Sequence, residues 1–186
     1  MINILFLIAL TFPVAIASTA FNAINKEQLT INSWQCVGRY LMFALILALG
    51  QGVMYSLGGL LGGTFMHLVA KHSQWIVLAL CFSIAYRMVI NTIKIKNGSN
   101  LYFVENKKQL LLLSIALGIN AFIAGLMSEF LPIFQNLTPY IIMGISFIWA
   151  MTAMMIPFSK MKLTFNSLLN IILAAVIFAR GLLFLV

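Results

Sequence analysis

Leu117-Gly118-Ile119-Asn120-Ala121-Phe122-Ile123-Ala124-Gly125 is an apolar stretch with a single amide at its centre. It has an echo near the N-terminus. Ile8-Ala9-Leu10-Thr11-Phe12-Pro13-Val14-Ala15-Ile16-Ala17-Ser18 and Ile115-Ala116-Leu117-Gly118-Ile119-Asn120-Ala121-Phe122-Ile123-Ala124-Gly125 share the frame Ile-Ala-Leu-x-x-[Pro/Asn]-x-x-Ile-Ala-small. A frame that recurs once suggests two related halves. Each copy places at its centre a residue that a lipid-facing helix disfavours, Pro13 in one and Asn120 in the other.

Working outward from that stretch, the whole chain is apolar. Of its 186 residues 63% are hydrophobic and 8% charged, against about 45–50% and roughly 25% in a soluble domain. A membrane span needs about 20 mostly apolar residues to cross a core roughly 30 Å thick. Six segments qualify, near Ile2–Ile24, Val37–Gly63, Trp75–Lys94, Gln109–Leu131, Pro139–Phe158 and Phe165–Val186. The expectation is an all-α membrane protein, with residues 1–186 forming a single integral membrane domain. Function must then sit within the bilayer or on short loops.

The net charge of +8 could point to nucleic acid, but its distribution argues otherwise. Lys26, Arg39, Lys94, Lys96, Lys107, Lys108, Lys160 and Lys162 cluster near the first, third and fifth loops, whereas the other loops offer little beyond Lys71. This is a positive-inside bias, which puts the odd loops in the cytoplasm and both termini outside. The partner it implies is the lipid bilayer, with some attraction to anionic lipid. Nucleic acid is not expected, and a homodimer or a membrane-protein partner stays open.

The most hydrophilic connection, residues 97–106, divides the chain into repeat A (about 1–96) and repeat B (about 107–186), three spans each. An odd number of spans per repeat forces the two into opposite orientations, the inverted design of many transporters, with binding near the midplane. Polar residues at that depth are the candidate site. Pro13 removes a backbone donor and is expected to kink or break its helix. Ser18 and Asn22 follow on one face. Gln51, between Gly50 and Gly52, must find a hydrogen bond. Arg87 lies seven residues from Lys94, about 10 Å at a helical rise of 1.5 Å per residue. It can snorkel to the surface or turn inward. Ser18, Gln51, Arg87 and Asn120 are therefore the candidate substrate contacts. Gly58/Gly62 and Gly59/Gly63 form GxxxG pairs that let helices approach closely.

Other features read as structure. Cys36 and Cys81 have no Cys or His at metal-ligand spacing, so packing is their expected role. His67 and His72 fall in or beside the second loop with no carboxylate nearby. Glu129 is the only acid attached to a span and lies near its outer end. No Ser/His, paired-Asp or His-Glu-x-x-His constellation occurs in a span, so neither an enzyme nor a cofactor is expected.

The layout resembles the small bacterial manganese efflux pumps of the MntP family, within the lysine-exporter-like carriers. Gln74-Trp75-Ile76-Val77 leading to Arg87-Met88-Val89-Ile90 looks like that family's third span. Asn120-Ala121-Phe122-Ile123-Ala124-Gly125 is similar to its fourth-span Asp-Ala-x-x-Val-Gly, and Val14-Ala15-Ile16-Ala17-Ser18 to the tail of its first-span Asp-Ala-Phe-Ala-Ala-Ser. The resemblance implies a six-span transporter of the bacterial inner membrane, with metal-binding acids in spans one, two and four. Here those positions hold Pro13, Gln51 and Asn120, while the third-span arginine is kept as Arg87. Mn²⁺ favours carboxylate, carbonyl and water oxygens, so no confident metal site remains. Three readings stand open: a carrier for a neutral, zwitterionic or anionic solute, a non-transporting membrane subunit, and manganese export through amides and backbone carbonyls.

Overall fold

The computed structural model describes residues 2–25, 33–96, 107–130, 137–155 and 160–185, and among these every residue is in a helix or a turn. α1 spans Ile2–Asn25, α2 Ser33–Val69, α3 Ser73–Lys96, α4 Lys107–Leu126, α5 Thr138–Met155 and α6 Lys160–Leu183. The linking loop 97–106, Glu27, Pro132 and Pro157 lie outside the described residues, as do the side chains of Asn22, Cys36 and His67.

Six spans are expected from the sequence. Five helices are long and apolar enough to cross a bilayer: Val37–Thr64, Ser73–Lys94, Lys108–Leu126, Thr138–Met155 and Thr164–Leu183. In α1 the described apolar stretch is shorter, Asn3–Thr19. The helix as a whole has 24 residues, about 36 Å at 1.5 Å per residue. What sets α1 apart is enclosure. Every residue from Ala9 to Thr19 is buried, because α5 and α6 pack along it and α4 touches it.

Two sequence expectations change locally. α1 remains helical through Pro13, so the break that a proline can cause does not occur there. The hydroxyls around the proline are taken up by the same helix. Thr11 donates to the Leu7 carbonyl at 2.9 Å and Ser18 to that of Val14 at 2.8 Å. The second loop shrinks to a three-residue 3-10 turn, Ala70–His72, because α2 runs on to Val69 and α3 starts at Ser73. His67 therefore stands on the end of α2, beside the loop.

The closest contact in the bundle is α2 against α4, and glycine makes it possible. A Cβ at Gly58 would fall 2.1 Å from the Phe122 carbonyl oxygen, and one at Gly62 2.7 Å from that of Leu126. From the other side, a Cβ at Gly125 would fall 2.2 Å from the Tyr55 oxygen. At Gly59 and Gly63 the nearest atoms, Ser128 Oγ and Glu129 Oε1, stand 3.5 and 3.7 Å away. The first of the two GxxxG pairs thus has backbone as its nearest neighbours and the second has side-chain tips. Ser114 adds a bond across the same seam, its hydroxyl donating to the Ile46 carbonyl at 2.9 Å. Pairing Ile46 with Ser114, Gly50 with Gly118 and Gly62 with Leu126 makes α2 and α4 parallel.

α3 and α6 form a second close pair, running in opposite directions. Asn170 bonds to Met88 and Thr92, while Gly181 lies against Cys81 and Leu78. Cys81 is fully buried and its Sγ sits 3.7 Å from Met127 Sδ, so it packs. α5 bridges the bundle by packing on both α1 and α2. The main core gathers Phe6, Leu10, Ile84, Met88, Ile142 and Ile177, one or two from each of four helices.

Candidate functional site

Arg87 turns towards α4. Its Nε donates to Asn120 Oδ1 at 3.2 Å and its Nη2 to the Ala116 carbonyl at 3.3 Å. Ala116 and Asn120 are four apart, so one edge of α4 presents a side-chain oxygen and a main-chain oxygen together. The planar guanidinium fork suits such a pair, which a lysine ammonium would not match. Asn120 is 2% exposed and Arg87 is half-buried. These two bonds set carbonyl dipoles against the guanidinium charge.

Gln51 lies at the centre of the α2 span and is 1% exposed. Its direction follows from its neighbours. Gly50 faces Ser114 and Gly118 on α4, and Gly52 faces Met143 on α5. At about 100° per residue, Gln51 points between them, into the bundle. The exposed Val53 and Leu49 mark the opposite, lipid-facing side. Its Oε1 accepts no hydrogen bond from the described residues. An unsatisfied buried acceptor costs about 1–3 kcal/mol, and hydrocarbon offers no relief.

Three further polar groups share this condition and were not singled out in the sequence as a group. Ser146 Oγ and Trp149 Nε1 on α5, and Asn170 Oδ1 on α6, lack partners among the described residues. Ser146 is 0% exposed. Trp149 stands edge-on to Phe12, ring centres 5.3 Å apart, which brings α5 against α1 one residue before Pro13. Asn170 uses its amide nitrogen fully, donating to Met88 O at 3.1 Å and Thr92 Oγ1 at 2.8 Å. The available signal was a polar side chain within an apolar span.

The candidate residues thus divide. Arg87 and Asn120 are joined directly. Gln51 lies one residue from the Gly50–Gly118 crossing and Asn120 two residues from it, so they share a level in the bundle. Ser18 is buried and bonded to its own helix, and Pro13 is buried with no donor or acceptor to offer from its side chain. Glu129 is exposed, in the turns that follow α4. Among the described residues no three His, Cys, Asp or Glu side chains gather as metal ligands. Chemically the site offers amide and hydroxyl dipoles around one guanidinium.

Comparison with known proteins agrees with the layout. The model of the MntP family, described as "Putative manganese efflux pump", matches residues 35–185. A relative carrying the same description, from Methanospirillum hungatei, is 34% identical over 105 residues. That alignment covers 55% of this chain and 54% of the relative, so the chain spans about half the length of the curated relative it matches. No solved structure matches.

Proposed function

The chain belongs to the MntP manganese efflux pump family, and on that premise we propose that it is an efflux-type membrane transporter whose central site no longer suits Mn²⁺. The family's members are transporters rather than enzymes. The observation that carries the proposal is the Arg87–Asn120 bond. A guanidinium lies 3.2 Å from the oxygen at the position where the family resemblance expects a metal-binding acid. At an effective dielectric constant of about 20, a divalent ion roughly 5 Å from a guanidinium is repelled by about 7 kcal/mol. With Pro13, Gln51 and Asn120 in place of carboxylates, nothing at these positions offsets that term. The substrate we infer is a neutral, zwitterionic or anionic solute contacted by Gln51, Asn120, Arg87 and Ser18.

The proposal includes two inverted three-helix repeats, 1–96 and 107–186, with α1 as the sixth crossing. Exchanging α1 with α4, α2 with α5 and α3 with α6 supports it. The exchange turns the α2–α4 contact into α5–α1 and the α1–α6 contact into α4–α3, while α2–α5 and α3–α6 map onto themselves; every one of these contacts exists. The basic loops further suggest a bacterial inner membrane setting, with both termini outside.

One observation favours a second reading, a non-transporting subunit that keeps the scaffold: Asn120 is already bonded by Arg87 rather than left open. Manganese sensitivity of a host lacking its own exporter separates the possibilities. The expected result is no protection by the natural chain and restored protection by Gln51→Glu with Asn120→Asp. Protection by the natural chain would overturn the altered-site proposal. Failure of both, with the protein present in the membrane, would favour the subunit.

A further inference from the structure

We infer that Ser146 on α5 works with Gln51 on α2 as one half of the solute site, and that the pair binds a hydrogen-bond donor. The inference rests on the carrier reading above and narrows its substrate to a solute bearing an N–H or O–H group. Both side chains are closed off from lipid, Gln51 at 1% and Ser146 at 0% exposure. Neither Gln51 Oε1 nor Ser146 Oγ has a hydrogen-bond partner among the described residues. For Ser146 this departs from the habit of the chain. Thr11, Ser18, Thr92 and Thr152 each donate to the carbonyl four residues back in the same helix. Ser146 makes no such bond to Ile142.

Helix packing puts the two side chains at one depth. α2 and α5 run in opposite directions: Gly52 lies against Met143, while Leu47, earlier on α2, shares a cluster with Ala150 and Met154, later on α5. Gln51 is one residue from Gly52 and Ser146 three from Met143, both towards that cluster. Their levels therefore differ by about 3 Å at 1.5 Å per residue. Ser146 stands on the buried stripe Ile142, Ser146, Ala150, with Ile141 and Ile148 exposed on the far side of α5. The proposed exchange of repeats selects the same pair. Ala15 and Phe122 hold one place in the repeated frame. Gly58 meets Phe122, and Ala153 packs with Ala15. Seven residues back from Gly58 is Gln51, and seven back from Ala153 is Ser146. The chemistry then selects the ligand. Gln51 Oε1 can only accept a hydrogen bond, and Ser146 Oγ can accept or donate one. A site of this kind rejects an analogue without the donor, because its own buried oxygens stay unpaired. Amides, amines and alcohols fit it, and acceptor-only anions do not.

The test uses the full chain in mild detergent with Cys36→Ser and Ala150→Cys, which places a thiol one turn from Ser146 at a buried position. Three methanethiosulfonate reagents are the probes, ending in an ethyl, a hydroxyethyl or an aminoethyl group. Peptide mass spectrometry follows the rate of each adduct. The donor-bearing reagents should react about tenfold faster than the ethyl one, the worth of one buried hydrogen bond. Ser146→Ala should erase that preference and Ser146→Thr keep it. Preference for hydroxyethyl alone identifies an uncharged donor, and preference for aminoethyl an amine. Cys81, fully buried against Met127, is the internal control and should stay unmodified. If Ala150→Cys alters elution on gel filtration, Leu47→Cys offers the thiol from α2 instead. A thiol that never reacts, rates that ignore the end group, or a preference that survives Ser146→Ala would overturn the inference. If Gln51→Glu with Asn120→Asp still restores manganese protection, the carrier reading stands and only the Ser146 site falls.

Discussion

Gly125→Ala adds one methyl group at the α2–α4 seam, and its cost can be worked from the atoms it would meet. The new Cβ would lie 2.2 Å from the Tyr55 carbonyl oxygen, 2.9 Å from the Gly59 nitrogen and 3.0 Å from the Gly58 Cα. All three are backbone atoms of α2, so no side chain can rotate away. Relief requires the two helices to separate by about 1 Å, against the dense packing expected of such interfaces. Separation also loosens the Gly58–Phe122 and Gly62–Leu126 contacts and stretches the 2.9 Å bond from Ser114 to Ile46. Overpacking of this kind costs typically 1–3 kcal/mol, and rigid partners place this case at the upper end, about 3 kcal/mol. For a chain of this size that lowers Tm by roughly 6–12 °C. Thermal unfolding in detergent, followed by circular dichroism, reads it directly. Gly144→Ala is the matched control, since nothing lies within 4 Å of its Cβ position. It should be neutral or gain up to about 1 kcal/mol from helix propensity. A Gly125→Ala protein that melts within about 2 °C of the natural chain, a shift worth less than about 1 kcal/mol, would refute the close backbone approach.

Three further outcomes follow from the same geometry. Gln51→Leu removes a buried oxygen with no donor and should raise stability by about 1–3 kcal/mol, while abolishing any transport that uses the amide; a clear fall in Tm would show that the amide is held in place. Arg87→Leu and Asn120→Leu, combined in a double-mutant cycle on unfolding, should show a coupling of about 1.5–3 kcal/mol, the range for a hydrogen bond to a charged group. Additive effects would mean that the 3.2 Å contact contributes nothing. Asn170→Leu should loosen α6 from α3 by about 1–3 kcal/mol, read as faster hydrogen exchange in α6 than in α4; equal exchange in both helices would refute a tie specific to that pair.

How much of this was legible beforehand depends on which forces leave a trace in one dimension. Length and hydropathy along the chain determine that it is helical and membrane-embedded, because a bilayer accepts only segments that satisfy their own backbone. Glycine spacing marks the α2 face that packs. The fragments around Asn120 and Arg87 carry the family, which the match over residues 35–185 bears out. The facing of side chains is another matter. In water an apolar stripe distinguishes inside from outside, but in lipid both sides of a helix are apolar and the stripe fades.

Only tertiary contacts could therefore decide between snorkelling and inward bonding for Arg87, whose partner lies on a different helix. The same holds for choosing Gly58 over its neighbour Gly59 as the tighter point of contact, and for leaving Gln51, Ser146 and Trp149 with unused polar atoms in the interior. The stretch around Asn120 shows the division most clearly. Its sequence determines that a polar residue stands mid-helix where the family resemblance expects an acid. The fold decides that an arginine reaches it, with its Nε 3.2 Å from the amide oxygen.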